Sequence, residues 1–432
     1  MQMKYTAEEA IKLDATDSFP CLVHLFDMPV DENGQQAIYL NGNSLGPKPK
    51  MIDQILMKEC QTWGRLGVRG HFDKDHLWIT YNELVTNSLA RLVGARTEEV
   101  VAVGTLTANL HFLFASFYQP TPKRYKVIRL LGFPSDTYAI TSQVKQRLET
   151  IRAFQGEAPF NIDDAVIEIK PEDSGYIDLD TFEYVLDQHG ENTAIVWIEA
   201  VHYLTGQYFN IPELARLAHS KGCKFGLDLA HAIGNVPLSL HDWDIDFSVW
   251  CSYKYLSAGP GAIAGLYVHD KYLNDPSLTR FAGWWGHNKK TRFQMNGVFD
   301  PIPTAESWQV SNPSVFLLAT LKQALELFDQ VDLRALREKN TRLVAYLERL
   351  IQDELSVAVD IITPKNPDER GCQLSFRLKS MDGKSDIEEM FFHYGIICDV
   401  RKDLVRVAPM GLYTKFIDVL NFVEKLKLIC CA

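Results

Sequence analysis

Apolar and polar positions change their rhythm twice along the chain. From about residue 85 to 270, short apolar runs rich in Val, Ile and Phe alternate with longer segments of helical period. The runs at 100–103, 126–130, 194–197, 224–228 and 247–251 predict buried strands. The segments at 82–93, 109–117, 138–147 and 212–220 predict the helices between them. Such alternation predicts an α/β unit with a mostly parallel sheet, and these sheets bind ligands at the carboxyl ends of their strands.

After Pro313 the pattern turns helical, with a long helix over 316–354 broken near 329–332. Strands at 357–362, 373–378, 396–401 and 404–407 and a helix at 414–429 complete the chain. Lys402-Asp403 predicts a tight hairpin between the last two strands. Three units are expected: a helix and arm over 1–45 that packs with the small domain, a large α/β domain over 46–313, and a small α+β domain over 314–432.

Composition narrows the class. A chain of 432 residues, 46% hydrophobic and 23% charged, has material for two packed domains. A net charge of -11 leaves no basic surplus for nucleic acid, although a local pocket for a small anion remains compatible. No apolar run reaches the length of a membrane span. The segment MQMKYTAEEAIKLDATDSF carries acids and lacks the apolar core of a secretory signal. The eight cysteines are scattered without a C-x-x-C pair, which predicts reduced thiols and a cytoplasmic setting.

Candidate chemistry sits at two strand ends. Lys224-Phe-Gly-Leu-Asp228 stops on an acid, and Phe247-Ser-Val-Trp-Cys251 stops on Ser252-Tyr253-Lys254 before a Gly-rich turn. A lysine that bonds an aldehyde and an acid that keeps a pyridine nitrogen protonated are what pyridoxal phosphate (PLP) requires. A buried salt bridge accounts for the same two residues. Val100-Ala-Val-Gly104 runs through Thr105-Leu106-Thr107 into a helical stretch, which makes a phosphate cradle or an ordinary N-cap. Phe133, just past another strand end, is placed to stack on a ring or simply to pack.

Longer stretches carry a resemblance. Asn43-Ser-Leu-Gly46, Leu106-Thr-Ala-Asn-Leu-His111, Phe133-Pro-Ser-Asp136, Thr205-Gly-Gln207 and Asp228-Leu-Ala-His-Ala-Ile-Gly-Asn235 resemble kynureninases. So do His241-Asp-Trp243, Cys251-Ser-Tyr-Lys-Tyr-Leu256, Gly283-Trp-Trp-Gly-His287, Ser311-Asn-Pro313 and Arg406-Val-Ala-Pro409, in the family's order across nearly the whole chain. The resemblance implies a homodimeric PLP enzyme of fold type I, in the class V branch of the aspartate-aminotransferase fold. The implied reaction cleaves L-kynurenine to anthranilate and L-alanine, with 3-hydroxykynurenine also accepted.

It also implies roles. Lys254, Asp228 and Tyr253 form the catalytic set, with Lys254 as cofactor tether and base for the substrate's α-proton. Phe133 stacks on the ring, with Pro134, Ser135 and Asp136 beside it, while Leu106, Thr107, Tyr253 and His231 serve the phosphate. Trp284 and Asn312 reach the cofactor of the opposite subunit. Arg406 clamps the substrate carboxylate, a task suited to a guanidinium fork, with Arg401 as the competing candidate. In a two-residue hairpin Arg406 faces Asp399, which then orients it. The aryl pocket draws on His71, Ile79, Trp285, Ser311, Asn312 and Ser44, and its polar members favour a ring hydroxyl. Glu199 departs from the family, which generally has a small residue there, and a carboxylate near a phosphate is repulsive.

Other readings compete. Gly42-Asn-Ser44-Leu-Gly46 fits the G-x-S-x-G elbow of serine hydrolases, but Pro47 and Pro49 separate the serine from the following helix. His71, Asp73, Asp75 and His76 offer metal-binding side chains without a zinc-type spacing, so no metal is expected. A desulfurase or aminotransferase of the same branch keeps the cofactor and changes the reaction. The desulfurase requires a reactive cysteine in a mobile loop, and none stands in an obvious Gly/Ser-rich segment.

Overall fold

The computed structural model describes residues 5–74, 77–155, 161–171, 175–379, 386–401 and 403–431. Its centre is a seven-stranded sheet built from β4 (Val100–Ala102), β5 (Lys126–Leu130), β6 (Val166–Ile169), β7 (Thr193–Glu199), β8 (Lys224–Asp228), β9 (Phe247–Trp250) and β10 (Gly265–Val268). The order is β4-β10-β9-β8-β7-β5-β6. Pairs from β9 through β6 are parallel, and β10 runs antiparallel between β9 and β4. The α/β expectation therefore holds.

These strands are almost wholly apolar because both faces are covered. One side carries α4 (Leu106–Phe117) and α5 (Pro134–Gln155), where Phe114, Phe117, Trp197 and Phe247 interlock. The other side belongs to a larger core reached by α3 (Glu83–Val93), α6 (Leu179–His189), α7 (Ile211–Ser220) and α8 (Val315–Asp329). α2 (Ile52–Leu66) packs on α8. The predicted long C-terminal helix is α8 followed by α9 (Leu333–Leu355), and Asp332 caps α9 by accepting from the Arg334 N–H at 2.8 Å.

A second sheet has the order β11 (Val359–Ile361), β12 (Leu374–Leu378), β15 (Leu404–Val407), β14 (Asp399–Arg401). Arg401 pairs with Leu404 and Asp399 with Arg406, the predicted register, although Lys402 lies outside the described residues. The expected strand over 396–401 is instead two pieces, β13 (Ile396–Ile397) after the short helix α10 (Ile387–His393), and then β14. Of the N-terminal segments, α1 (Ala7–Thr16) packs on α11 (Phe416–Cys431). Strand β1 (Phe26–Asp27) pairs with β3 (Lys48–Pro49), and β2 (Ile38–Tyr39) pairs with β13. The arm thus lies against the C-terminal part. Among the described residues, no helix is long and apolar enough to cross a membrane.

Candidate active site

The carboxyl edge of the sheet brings the predicted chemistry together. Leu106, Thr107, Phe133, Ser135, Asp228, His231, Tyr253 and Lys254 line one cavity, joined by Glu199, Val201, Tyr203 and Ala230. Each arrives from a strand end. Asp228 closes β8, Glu199 closes β7 beside it, and Lys254 follows β9. Leu106 and Thr107 open α4, while Phe133 and Ser135 sit where β5 turns into α5.

Lys254 stands on a tightly folded turn. Ala258 N–H donates to the Ser252 carbonyl at 3.0 Å, and Ser257 N–H to the Lys254 carbonyl at 2.9 Å. Ser257 holds φ at +58°, a left-handed conformation that costs a side-chain-bearing residue free energy. Gly46 seals the turn from outside, donating its N–H to the Tyr253 carbonyl at 2.8 Å. A Cβ at Gly46 would lie 2.4 Å from the Lys254 carbonyl and 2.1 Å from Ser257 Oγ, so only glycine fits. Ser44, two residues earlier, is held by a hydrogen bond to Asp399, and Pro47 and Pro49 precede α2. The serine-elbow geometry is therefore not formed.

The cavity has an anionic end. Asp136 accepts from Trp197 Nε1 at 2.8 Å. Burial, then the charges of Asp228 and Glu199, push its carboxyl well up. Burial also raises Asp228, opposed by the Lys254 charge and by the Ala230 N–H that donates to it at 2.6 Å. Glu199 is pushed up to about 7 by burial and then by Asp228. Three buried carboxyls so close together favour a cationic group between them.

The same cavity also offers donors. Thr105 caps α4 without a side-chain hydrogen bond, so the first N–H groups of the helix remain available for an anion. Asn109, in the first turn of α4, donates its Nδ2 to the Val103 carbonyl at 2.7 Å. Thr107 and Ser135 hydroxyls meet at 2.8 Å on the cavity wall. His231, on the cavity wall, has its Nδ1 buried without a protein partner. Burial holds His231 well below its usual range, so its imidazole is neutral. This set fits PLP: a lysine for the aldehyde, an acid for the ring nitrogen and a helix N-terminus for the phosphate.

Beyond the cavity, Arg406 is buried at 3% exposure on β15. It donates Nη2 to Asp399 at 2.6 Å and Nη1 to the Tyr203 carbonyl at 2.7 Å, while Nε has no protein partner. Asp399 also accepts from Ser44 and pairs with Arg401 at 3.1 Å. Arg401 is half exposed, so the buried Arg406 is the better-fixed fork.

Other predicted residues gather elsewhere. His71, Phe72, Phe293, Trp284 and Trp285 form a continuous aromatic run, with Ile79 next to the Trp78 ring that His71 abuts. Ser311 and Asn312 are exposed. None of these lines the Lys254 cavity of the same chain. Of the possible metal set near His71, Asp75 and His76 lie outside the described residues. Glu99, His241, His269 and Asp270 cluster elsewhere, with the Glu99 and Asp270 oxygens engaged by protein groups.

Sequence reading missed Tyr203 and Gln373. Tyr203 contributes chiefly through its backbone, and Gln373 Nε2 donates to the Tyr203 carbonyl at 3.0 Å. Backbone contacts leave no composition signal. Glu199 was visible as a departure; it lines the cavity, with its two carboxylate oxygens taken by the Phe133 and Tyr203 N–H groups.

Comparison with known proteins agrees with this geometry. The family Aminotransferase class-V matches residues 161–400. A kynureninase of Myxococcus xanthus (strain DK1622) is 45% identical over 97% of this chain and 96% of its own. One from Koribacter versatilis (strain Ellin345) is 40% identical over 97% of each. Among solved structures, a cysteine desulfurase from Thermococcus onnurineus NA1 superposes with a TM-score of 0.74 at 16% identity, covering 96% of this chain and all (100%) of that one. A C-DES mutant with glycine covalently linked to its PLP cofactor gives 0.72 at 15% identity, covering 90% and 96%. The fold is thus that of fold-type I PLP enzymes, and the chain belongs to the kynureninase family.

Proposed function

We propose that the Lys254 cavity is where this chain cleaves the Cβ–Cγ bond of L-kynurenine by hydrolysis, giving anthranilate and L-alanine. The observation that carries the reading is the convergence of Lys254, Asp228 and the uncapped start of α4 on one cavity. Bound PLP supplies the electron sink for breaking bonds at the substrate's α- and β-carbons.

The chain's own residues divide the remaining work. Lys254 Nζ tethers the cofactor and then takes the proton from the substrate's Cα. Asp228 keeps the ring nitrogen protonated, with Asp136 beside it. Leu106, Thr107, Ser135, His231 and Tyr253 hold the phosphate, and Phe133 with Pro134 walls the ring. Arg406, with an unpartnered Nε and a position fixed by Asp399, receives the α-carboxylate.

We further read the site as shared between two copies of the chain. Trp284, Phe293, Met295, Val298 and Phe72 leave an apolar face exposed, and Ser311 and Asn312 are exposed too. In this reading Trp284 and Asn312 complete the partner's cofactor site, while His71, Ile79, Trp285, Ser311 and Ser44 shape the aryl pocket. Their polar groups suit a ring hydroxyl, so 3-hydroxykynurenine is expected to react at least as well as kynurenine. The buried free thiols of Cys223, Cys251, Cys372 and Cys398 suit a cytoplasmic setting.

The test is to incubate purified protein with PLP and kynurenine and follow anthranilate. Cofactor binding without anthranilate would sink the reaction but leave the fold intact. The ratio of kcat/KM for the two substrates tests the aryl pocket, and a large preference for kynurenine would refute that part.

A further inference from the structure

Glu199 has no task in the reaction described above, yet it is buried in the cavity wall. Its two oxygens accept two separate backbone donors: Oε1 takes the Phe133 N–H, and Oε2 takes the Tyr203 N–H at 2.8 Å. Gly132 makes room for this, since a Cβ there would lie 2.5 Å from Oε1. The connection continues through Tyr203. Its ring stands edge-on to Phe133 with centroids 5.4 Å apart, and its carbonyl accepts Arg406 Nη1 at 2.7 Å. One carboxylate therefore ties the aromatic wall of the cofactor pocket to the peptide that holds the arginine.

We propose that Glu199 is a positioning residue whose ionised carboxylate fixes Tyr203 and Phe133 together, so that Arg406 is set to receive the substrate's α-carboxylate. The inference rests on the assignment of Arg406 above. A carboxylate accepts from both N–H groups, whereas a carboxylic acid or an amide turns a hydrogen toward one of them. Loss of either bond leaves a half-buried donor unsatisfied and frees the Tyr203 peptide.

The groups around Glu199 make this sensitive to pH. Asp228 on β8 and Asp136 at the start of α5 oppose its ionisation, and Lys254 after β9 favours it. His202 and His231 are neutral, and Arg406 is the cation on β15. Burial and Asp228 together push Glu199 up to about 7, so it gains its proton as pH falls through neutrality. Below that point one of the two bonds is lost, the tie between Phe133 and Tyr203 opens, and Arg406 loosens.

The test compares wild type with Glu199→Gln from about pH 6 to about pH 9. In wild type, KM for kynurenine should rise about tenfold as pH falls through neutrality, the weight of one hydrogen bond to a charged group, while kcat changes far less. Glu199→Gln should show the raised KM throughout, with no such step. Calorimetric binding of L-alanine should weaken in the variant, whereas binding of the decarboxylated amine analogue of kynurenine should not. Unchanged KM and L-alanine binding in the variant, or equal weakening of the carboxylate-free analogue, would overturn the inference alone. Absence of anthranilate from wild type would overturn the functional reading and this inference with it. Should Glu199→Gln not fold, Glu199→Asp takes its place: a raised KM with kcat near wild type supports the proposal, and an unchanged KM overturns it.

Discussion

Arg406 and Asp399 are both almost fully buried, and each holds the other in place. Removing one partner of such a pair leaves an uncompensated charge in the interior. Asp399→Ala is expected to destabilise the fold by about 3 kcal/mol and to raise KM, as read by urea unfolding and steady-state kinetics. Lys254 is a different case, since it serves the chemistry rather than the packing. Lys254→Ala should lower kcat by about 10³-fold or more while unfolding stability stays near wild type. Substantial residual turnover would contradict the role of base. His202 gives a third expectation. Its Nε2 lies 2.8 Å from the Leu131 carbonyl and its Nδ1 3.0 Å from Thr205 Oγ1, and burial pushes its pKa down to about 4. The unfolded chain binds a proton near pH 6.5, so it holds more protons than the folded state between these values. Stability is thus full above about pH 6.5 and declines by about 3 kcal/mol as pH falls toward 4. His202→Gln should flatten that part of the pH dependence in denaturant titrations.

At the scale of elements, the strands that carry the site were legible because buried parallel strands are uninterrupted apolar runs ending abruptly in polar residues. β5 and β8 fall where the pattern put them. Helix starts were less legible. α5 begins at Pro134 rather than at 138, because a Pro-Ser-Asp sequence resembles a turn although proline suits the first turn of a helix. α4 begins at Leu106 rather than at 109, and this shift puts its N-terminus at the cavity. β6 and β10 were not anticipated: Glu168 interrupts the apolar run of β6, and β10 opens on Gly265 soon after the Gly-rich turn. The bonds from Glu199 to two backbone N–H groups were illegible for another reason, since they join peptides 66 and 4 residues away. Gly46, between the arm and the Lys254 turn, yields a prediction at this scale. Gly46→Ala must displace the turn, and a cost of about 2 kcal/mol is expected together with a lower kcat, measured by thermal unfolding and turnover.

For the whole molecule, the exposed run through Phe72, Phe293 and Trp284 is the feature that the single chain leaves unexplained. If it lies between two copies, Phe293→Glu should shift the sedimentation profile toward monomer and reduce activity in parallel. A fully active monomer would refute the shared site. The cavity and the arginine also differ in where they lie along the chain. Every residue that lines the cavity precedes position 255, whereas the arginine and its aspartate belong to β14 and β15. Ser44, which bonds that aspartate, comes from the opposite end of the sequence. During synthesis, the ribosome therefore finishes the cofactor pocket's sequence about 150 residues before it adds the means to hold an amino acid. A nascent chain thus carries the whole lining of the Lys254 cavity well before it carries the arginine meant for the substrate's carboxylate.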